Sequence, residues 1–267
     1  MTFAFTSMGK VMLKRLLAAL GFLTVMPLPG LWRHTQTDLI DSVPFFPLVG
    51  LLIGLSAAGI AFLAGEFFPD LVLAVLLVGW LAMVHGGLHL DGLADTADGF
   101  LSPHDRERIL VIMHDSRIGV FGCLAIGGIL ALKVAALASL PNEYRIKALL
   151  LAPLVARCVM VSMLNLLPPA RPDGLGRLFY RHLHHDDAGR KPALESIGAV
   201  VVILAAGWVF ASTAGLVAGM AVMVAMVLFG TWCRRRIGGR SGDTVGAASE
   251  ISEMLVLVVF SVLVPGG

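Results

Sequence analysis

The chain predicts an all-α, polytopic integral membrane protein: a single helical bundle over residues 1–267 with about seven transmembrane helices, plus or minus one. Three observations predict it. Hydrophobic side chains make up 57% of the sequence and charged ones 14%, against roughly 45–50% and 25% in soluble domains, and mean hydropathy is +0.87. Apolar stretches long enough to cross about 30 Å of hydrocarbon run approximately at 45–66, 70–88, 117–139, 147–167, 195–212, 214–232 and 250–264. The basic residues are asymmetric: loops at 33–44, 89–117, 168–192 and 233–249 carry thirteen Lys and Arg, whereas the opposite loops hold only Arg145 and Lys147.

Taken in order, Leu16 to Trp32 is apolar, but Pro27 and Pro29 leave too few residues before them for a crossing, so this segment is expected to be re-entrant or interfacial. Lys10, Lys14 and Arg15 before it imitate a signal peptide, yet no convincing small-residue cleavage site follows, and the segment is read as retained. The 195–232 stretch is too long for one span and is broken near Ser212, Thr213 and Gly215, which predicts a tight helical hairpin. By the positive-inside rule the N-terminus and the basic loops face the cytoplasm. No internal repeat, inverted pair of interrupted spans or long polar linker divides the chain.

A formal charge of +2 gives no indication of nucleic acid, and Cys123, Cys158 and Cys233, odd in number and set in apolar sequence, suggest neither a disulfide framework nor a CxxC site. A lipid bilayer is the implied partner. A homo-oligomer is compatible with the sequence.

The chemistry concentrates at HGGLHLDGLADTADGF, residues 85–100, where Asp91, Asp95 and Asp98 fall at i, i+4 and i+7 and stack on one helix face. Like charges one turn apart destabilise a helix by about 0.2–0.5 kcal/mol each, so a cation is expected among them. Mg²⁺ suits hard carboxylate oxygens and is typically shared with substrate phosphates, and Mn²⁺ is able to take its place. Downstream, Asp115 is placed to complete the metal shell and Arg117 to meet a phosphate, with a juxtamembrane ion pair between them as the alternative. His85 and His89 lie one turn apart, and His89 is the candidate for a hydrogen-bonding or general-base role. His182, His184 and His185 read as surface residues.

Within the spans Lys133 and Arg157 are costly charges, and an intramembrane ionisable group is a functional hypothesis by default. Arg157 either binds substrate phosphate or pairs with the acidic cluster, or else forms a structural buried pair. The segment RRRIGGRSGDTVGAASE sets glycines around Arg240, Ser241, Asp243 and Thr244 and reads as a phosphate-cradling turn or an ordinary one.

HLDGLADTADGF, IMHDSRIGVFG and GGRSGDTVGA, together with FLTVMPLP and FFPLVGLLIG, resemble the cobalamin synthase family, the adenosylcobinamide-GDP ribazoletransferases. Arg157 falls where that family carries an arginine, and His85 stands where a threonine is expected. DTADG also resembles part of the DxxDG motif of CDP-alcohol phosphotransferases, without their following AR. The resemblance implies that the 3′-hydroxyl of α-ribazole, or of its 5′-phosphate, attacks adenosylcobinamide-GDP and expels GMP, giving adenosylcobalamin or its 5′-phosphate. It also implies Mg²⁺ dependence and a multi-pass location in the bacterial cytoplasmic (inner) membrane.

Phosphoryl transfer of this kind needs positioning and charge neutralisation more than covalent help. Asp91, Asp95, Asp98 and Asp115 are therefore expected to hold metal, and Asp98 or His89 to accept the ribazole proton. Arg117 and Arg157 should neutralise the diphosphate, while Gly239, Arg240 and Asp243 seat the nucleotide or ribazole. Two rival functions are a cation-coupled transporter, whose carboxylates should lie near mid-membrane, and an aspartate-rich intramembrane prenyltransferase.

Overall fold

A computed structural model describes residues 2–27, 35–171, 179 and 192–264. The expectations for His182, His184 and His185, and for the basic residues at 33, 177, 181, 190 and 191, lie outside the described residues. In chain order the helices are α1 (Thr2–Leu23), α2 (Gln36–Ile40), α3 (Phe46–Ala64) entered through a 3₁₀ turn at Val43–Phe45, α4 (Asp70–Val84) and α5 (Leu88–Phe100). They continue as α6 (Arg106–Ile112), α7 (Val120–Ser139), α8 (Asn142–Leu166), α9 (Pro192–Ile237) and α10 (Gly242–Leu263). The helical bundle expected from hydropathy is what forms.

Five of these units are long and apolar enough to cross a membrane: Val43–Ala64, α7, α8, α9 and α10. α9 is itself two limbs. Its helical backbone breaks at Ala211 and Ser212, and on either side of the break Gly207 and Gly215 meet backbone to backbone, so the limbs fold on each other as the expected hairpin. Only residues without a Cβ permit that approach.

α8 runs through the centre of the bundle and is buried along most of its length. Gly50 and Gly54 of α3, one turn apart, lie directly on the α8 backbone, where a Cβ at Gly50 would come within 2.9 Å of Leu154 Cα. Small residues at this spacing let two helices touch main chain to main chain.

Three boundaries differ from expectation. The N-terminal apolar stretch is the second half of a longer helix that stops at Leu23. It is tied down by Lys14–Asp38 at 2.7 Å and Arg15–Asp41 at 2.5 Å, while Val25 N–H donates to the Val84 carbonyl at 2.9 Å. The 70–88 span ends at Val84, because Gly86 and Gly87 take φ values of +61° and +74°, a region other residues rarely adopt. The chain turns there by 88°, so α4 and α5 together make a broken span or a re-entrant loop, a sixth candidate beside the five. The last helix begins at Gly242 rather than near 250, because Ser241 and Thr244 form a reciprocal N-terminal capping box.

Candidate active site

The right-angled turn decides what α5 can present. Its buried face carries His89, Gly92, Leu93, Thr96, Gly99 and Phe100. Asp91 is exposed on the other face, with Asp95 and Asp98 half-buried beside it. Gly92 rests on the first turn of α10, where a Cβ would come within 2.8 Å of Asp243 Cα. That contact brings a fourth carboxylate to the row.

The four acids share one electrostatic environment. The Asp95 carboxyl is pushed up to about 7, first by burial and then by the charges of Asp243, Asp91 and Asp98. Asp98 is held from a different direction: its Oδ2 accepts the Gly119 N–H at 2.7 Å and its Oδ1 the Gly122 N–H at 2.9 Å. Both donors belong to the N-terminus of α7, whose partial positive charge favours a carboxylate. The patch is therefore level with the starts of α7 and α10, at the end of the bundle and not at its centre. Clustered carboxylates that repel one another, one of them near neutrality, are hard oxygen donors of the kind Mg²⁺ or Mn²⁺ prefers, although no three of them have ligand atoms all within 4.8 Å of one another.

The remaining expectations separate on burial. His89 faces away from the acidic row, because two residues along a helix turn the side chain about 200°. It is buried, stacks on His85 with ring centroids 4.4 Å apart, and has Nδ1 3.4 Å from Ser249 Oγ. Arg157 is fully buried and pairs with Glu253, which removes it from contact with a substrate diphosphate. Arg240 is also buried: its N–H donates to the Pro168 carbonyl at 2.8 Å and its Nε to the Leu164 carbonyl at 3.2 Å. Gly239 is needed for that stitch, since a Cβ there would collide with the Pro168 carbonyl. Both residues hold the turn before α10 against the end of α8, and neither lines the acidic patch.

Asp115 and Arg117 form the alternative ion pair. Arg117 Nε and its terminal nitrogen reach the two Asp115 oxygens at 3.0 and 2.6 Å. The exposed guanidinium holds the Asp115 carboxyl down at about 2. A carboxylate so engaged is less available to a cation than that of Asp243.

Among the described residues, one set of His, Cys, Asp and Glu has ligand atoms all within 4.8 Å: His85, His89 and Glu250. Charge argues against a dication there. Lys133 Nζ already lies 2.6 Å from Glu250 and 2.9 Å from Glu253, and Arg157 shares Glu253, so two buried anions are balanced by two buried cations. Two further positive charges would be uncompensated in a dry interior.

Sequence reasoning missed Arg171 and His114, whose charges are felt at Asp243. They line a cleft of about 550 Å³ with Glu107, Leu110, Val111 and Asp115. Their only sequence signal is a place in the basic loops, where the arginines also bind backbone: Arg171 donates to the Leu110 carbonyl and keeps its charge at the cleft. Arg106 and Arg236 are spent on backbone carbonyls, including those of Ile237 and Phe100 at helix ends.

The model of the Cobalamin-5-phosphate synthase family matches residues 15–261. The chain belongs to this family. A relative named adenosylcobinamide-GDP ribazoletransferase from Roseiflexus sp. (strain RS-1) is 40% identical over 247 residues, 92% of this chain and 89% of the relative. Relatives of the same name from Geotalea daltonii and Syntrophobacter fumaroxidans are 37% and 40% identical, covering 92% and 90% of this chain and 96% and 94% of their own lengths. No solved structure matches. Membership of the cobalamin-5-phosphate synthase family makes the chain an enzyme of cobalamin biosynthesis.

Proposed function

We propose that this chain joins adenosylcobinamide-GDP to α-ribazole, or to α-ribazole 5′-phosphate, and releases GMP. The reading rests on the four-carboxylate patch of Asp91, Asp95, Asp98 and Asp243 at the end of the bundle, in a chain of this family. A bond forms between the ribazole 3′-oxygen and the cobinamide-linked phosphorus as the bond from that phosphorus to the GMP oxygen breaks. The hydroxyl proton leaves to a base.

Asp91, Asp95 and Asp243 would hold Mg²⁺, or Mn²⁺ in its place. When bound, the ion neutralises diphosphate charge and favours departure of GMP. Of the two candidate proton acceptors, Asp98 is the one on the acidic face. The Gly119 and Gly122 N–H groups orient its carboxylate and leave a lone pair free on each oxygen. Arg171 supplies positive charge at the rim in place of Arg157. The neighbouring cleft of about 550 Å³ is large enough for a nucleoside or nucleotide.

With the basic loops at the same end, the patch faces the cytoplasm from the bacterial inner membrane. A cation-coupled carrier would need its acids at mid-membrane, and here they lie at the bundle end. The test is GMP release from membranes given adenosylcobinamide-GDP, α-ribazole and Mg²⁺. Wild-type membranes should release GMP and Asp95→Asn membranes should not, with insertion unchanged. Near-normal release from Asp95→Asn, or release that survives complete chelation of divalent ions, would overturn the reading.

A further inference from the structure

Below the acidic patch lies a second polar layer that the transfer chemistry does not touch. Lys133 of α7, Arg157 of α8 and Glu250 and Glu253 of α10 are each 2% exposed or less. Lys133 Nζ lies 2.6 Å from Glu250 Oε2 and 2.9 Å from Glu253 Oε2, Arg157 takes the other oxygen of Glu253, and His85 Nε2 stands 3.2 Å from Glu250 Oε1. Packing of this kind costs desolvation that apolar residues would avoid, so its use is better sought in geometry than in stability.

The geometry is that of two rods joined by a pin. α7 carries at its N-terminus the Gly119 and Gly122 donors that hold Asp98, and α10 carries Asp243 in its first turn. At about 1.5 Å per residue, Lys133 is roughly 16 Å along α7 from Gly122, and Glu250 roughly 10 Å along α10 from Asp243. Between pin and patch, α10 buries Gly246, Ala247 and Ala248 among Thr244, Val245 and Ser249, mostly small side chains that interlock little with their neighbours. Apolar contact does not specify direction. Ion pairs do.

We infer that Lys133 is a positioning residue for the acidic patch: by pinning α7 to α10 it sets the height of the Asp98 cradle against Asp243. The inference rests on the metal-binding reading of that patch. It places Lys133 outside direct contact with metal or substrate. A slip of the pinned register would separate the carboxylates and weaken their joint grip on a cation.

The experiment measures Mn²⁺ binding to the purified full-length protein by the electron paramagnetic resonance of free Mn²⁺, with thermal melting alongside. Lys133→Met/Glu250→Gln removes one charge of each sign and leaves Arg157 paired with Glu253. Its expected behaviour is a cooperative melt with Mn²⁺ affinity weakened about tenfold or more, the range typical for groups that orient metal ligands. Lys133→Arg, which retains the cation, should bind within about twofold of wild type. A folded double variant with wild-type affinity overturns the inference, and so does a folded Lys133→Arg protein as weak as the double variant. Failure of the double variant to fold also overturns it, because the layer would then support the bundle and not the site. Mn²⁺ binding lost in Asp95→Asn but unchanged in the double variant defeats the positioning role alone, whereas a wild type that binds no Mn²⁺ defeats the metal reading and this inference together.

Discussion

Asp98 Oδ1 accepts the N–H of Gly122 at 2.9 Å although the two residues are 24 positions apart in sequence. With the companion bond from Gly119, this contact joins the helix that carries the acidic row to the helix behind it. The glycine is required by space: a Cβ at position 122 would come within 2.5 Å of the Asp98 carboxylate. Gly122→Ala is expected to destabilise the protein by about 1–3 kcal/mol, as over-packing does. It should also lower GMP release by more than the melt accounts for, since Asp98 is displaced. Thermal melting and turnover on the same preparation test this, and normal turnover would contradict it.

Asp95 and Asp98 should fail differently. Asp95→Asn removes the central charge of the patch, so Mn²⁺ binding and GMP release should both be lost. Asp98→Asn leaves the other three carboxylates in place but offers the α7 N–H groups only one accepting atom. Its turnover should fall at least about a hundredfold, as for loss of a general base, with Mn²⁺ affinity held within about tenfold. The melt should drop by about 1 kcal/mol, the worth of a helix N-terminal cap. Equal loss of metal binding in the two variants would show that Asp98 is a ligand.

The raised Asp95 carboxyl gives a pH signature. Its ordinary value is 3.8 and the folded value is about 7, so at intermediate pH the folded state binds a proton that the unfolded chain has lost. Metal-free stability should therefore fall as pH rises through that window. Metal binding runs the other way, because the proton and the ion compete. Mn²⁺ affinity should rise about tenfold per pH unit below roughly 7 and level off above it. A calorimetric titration of the wild type across this range checks the slope of affinity, and the metal-free melt of Asp95→Asn should lose its pH dependence over the same window.

Arg157 is predicted to govern folding and not substrate affinity. Arg157→Met leaves Glu253 short of a buried partner and should cost about 3–5 kcal/mol. Arg157→Met/Glu253→Gln should recover much of it. A variant that melts normally but needs far more adenosylcobinamide-GDP for half-maximal turnover would restore the substrate-binding role expected from sequence.

The sequence was most legible where the physics is local. Long apolar runs located the helices, the break near Ser212 located the hairpin, and offsets of four and three placed three aspartates on one face of α5. Side chains whose role depends on distant partners were not legible. Arg157 and Arg240 had the chemistry of phosphate ligands, but their partners Glu253 and Leu164 are 96 and 76 residues away. Asp115 and Arg117 went the other way, closing on each other because they are neighbours. His89 is near the aspartates along the chain but lies on the buried face of α5, against His85 and Ser249.

The amino-acid sequence by itself determined that this chain is an apolar helical bundle with an acidic row on one short helix, because hydropathy and helical period act within a few turns. The tertiary structure decided which charges are buried in pairs and which stay at the end of the bundle. Only the packing of α7, α8 and α10 consumes Lys133, Arg157 and Glu253 in the interior, adds Asp243 to the patch and leaves Arg171 at its rim. Each of those assignments depends on which helices touch and at what height, and that is fixed by long-range packing and charge pairing, not by any local pattern of residues.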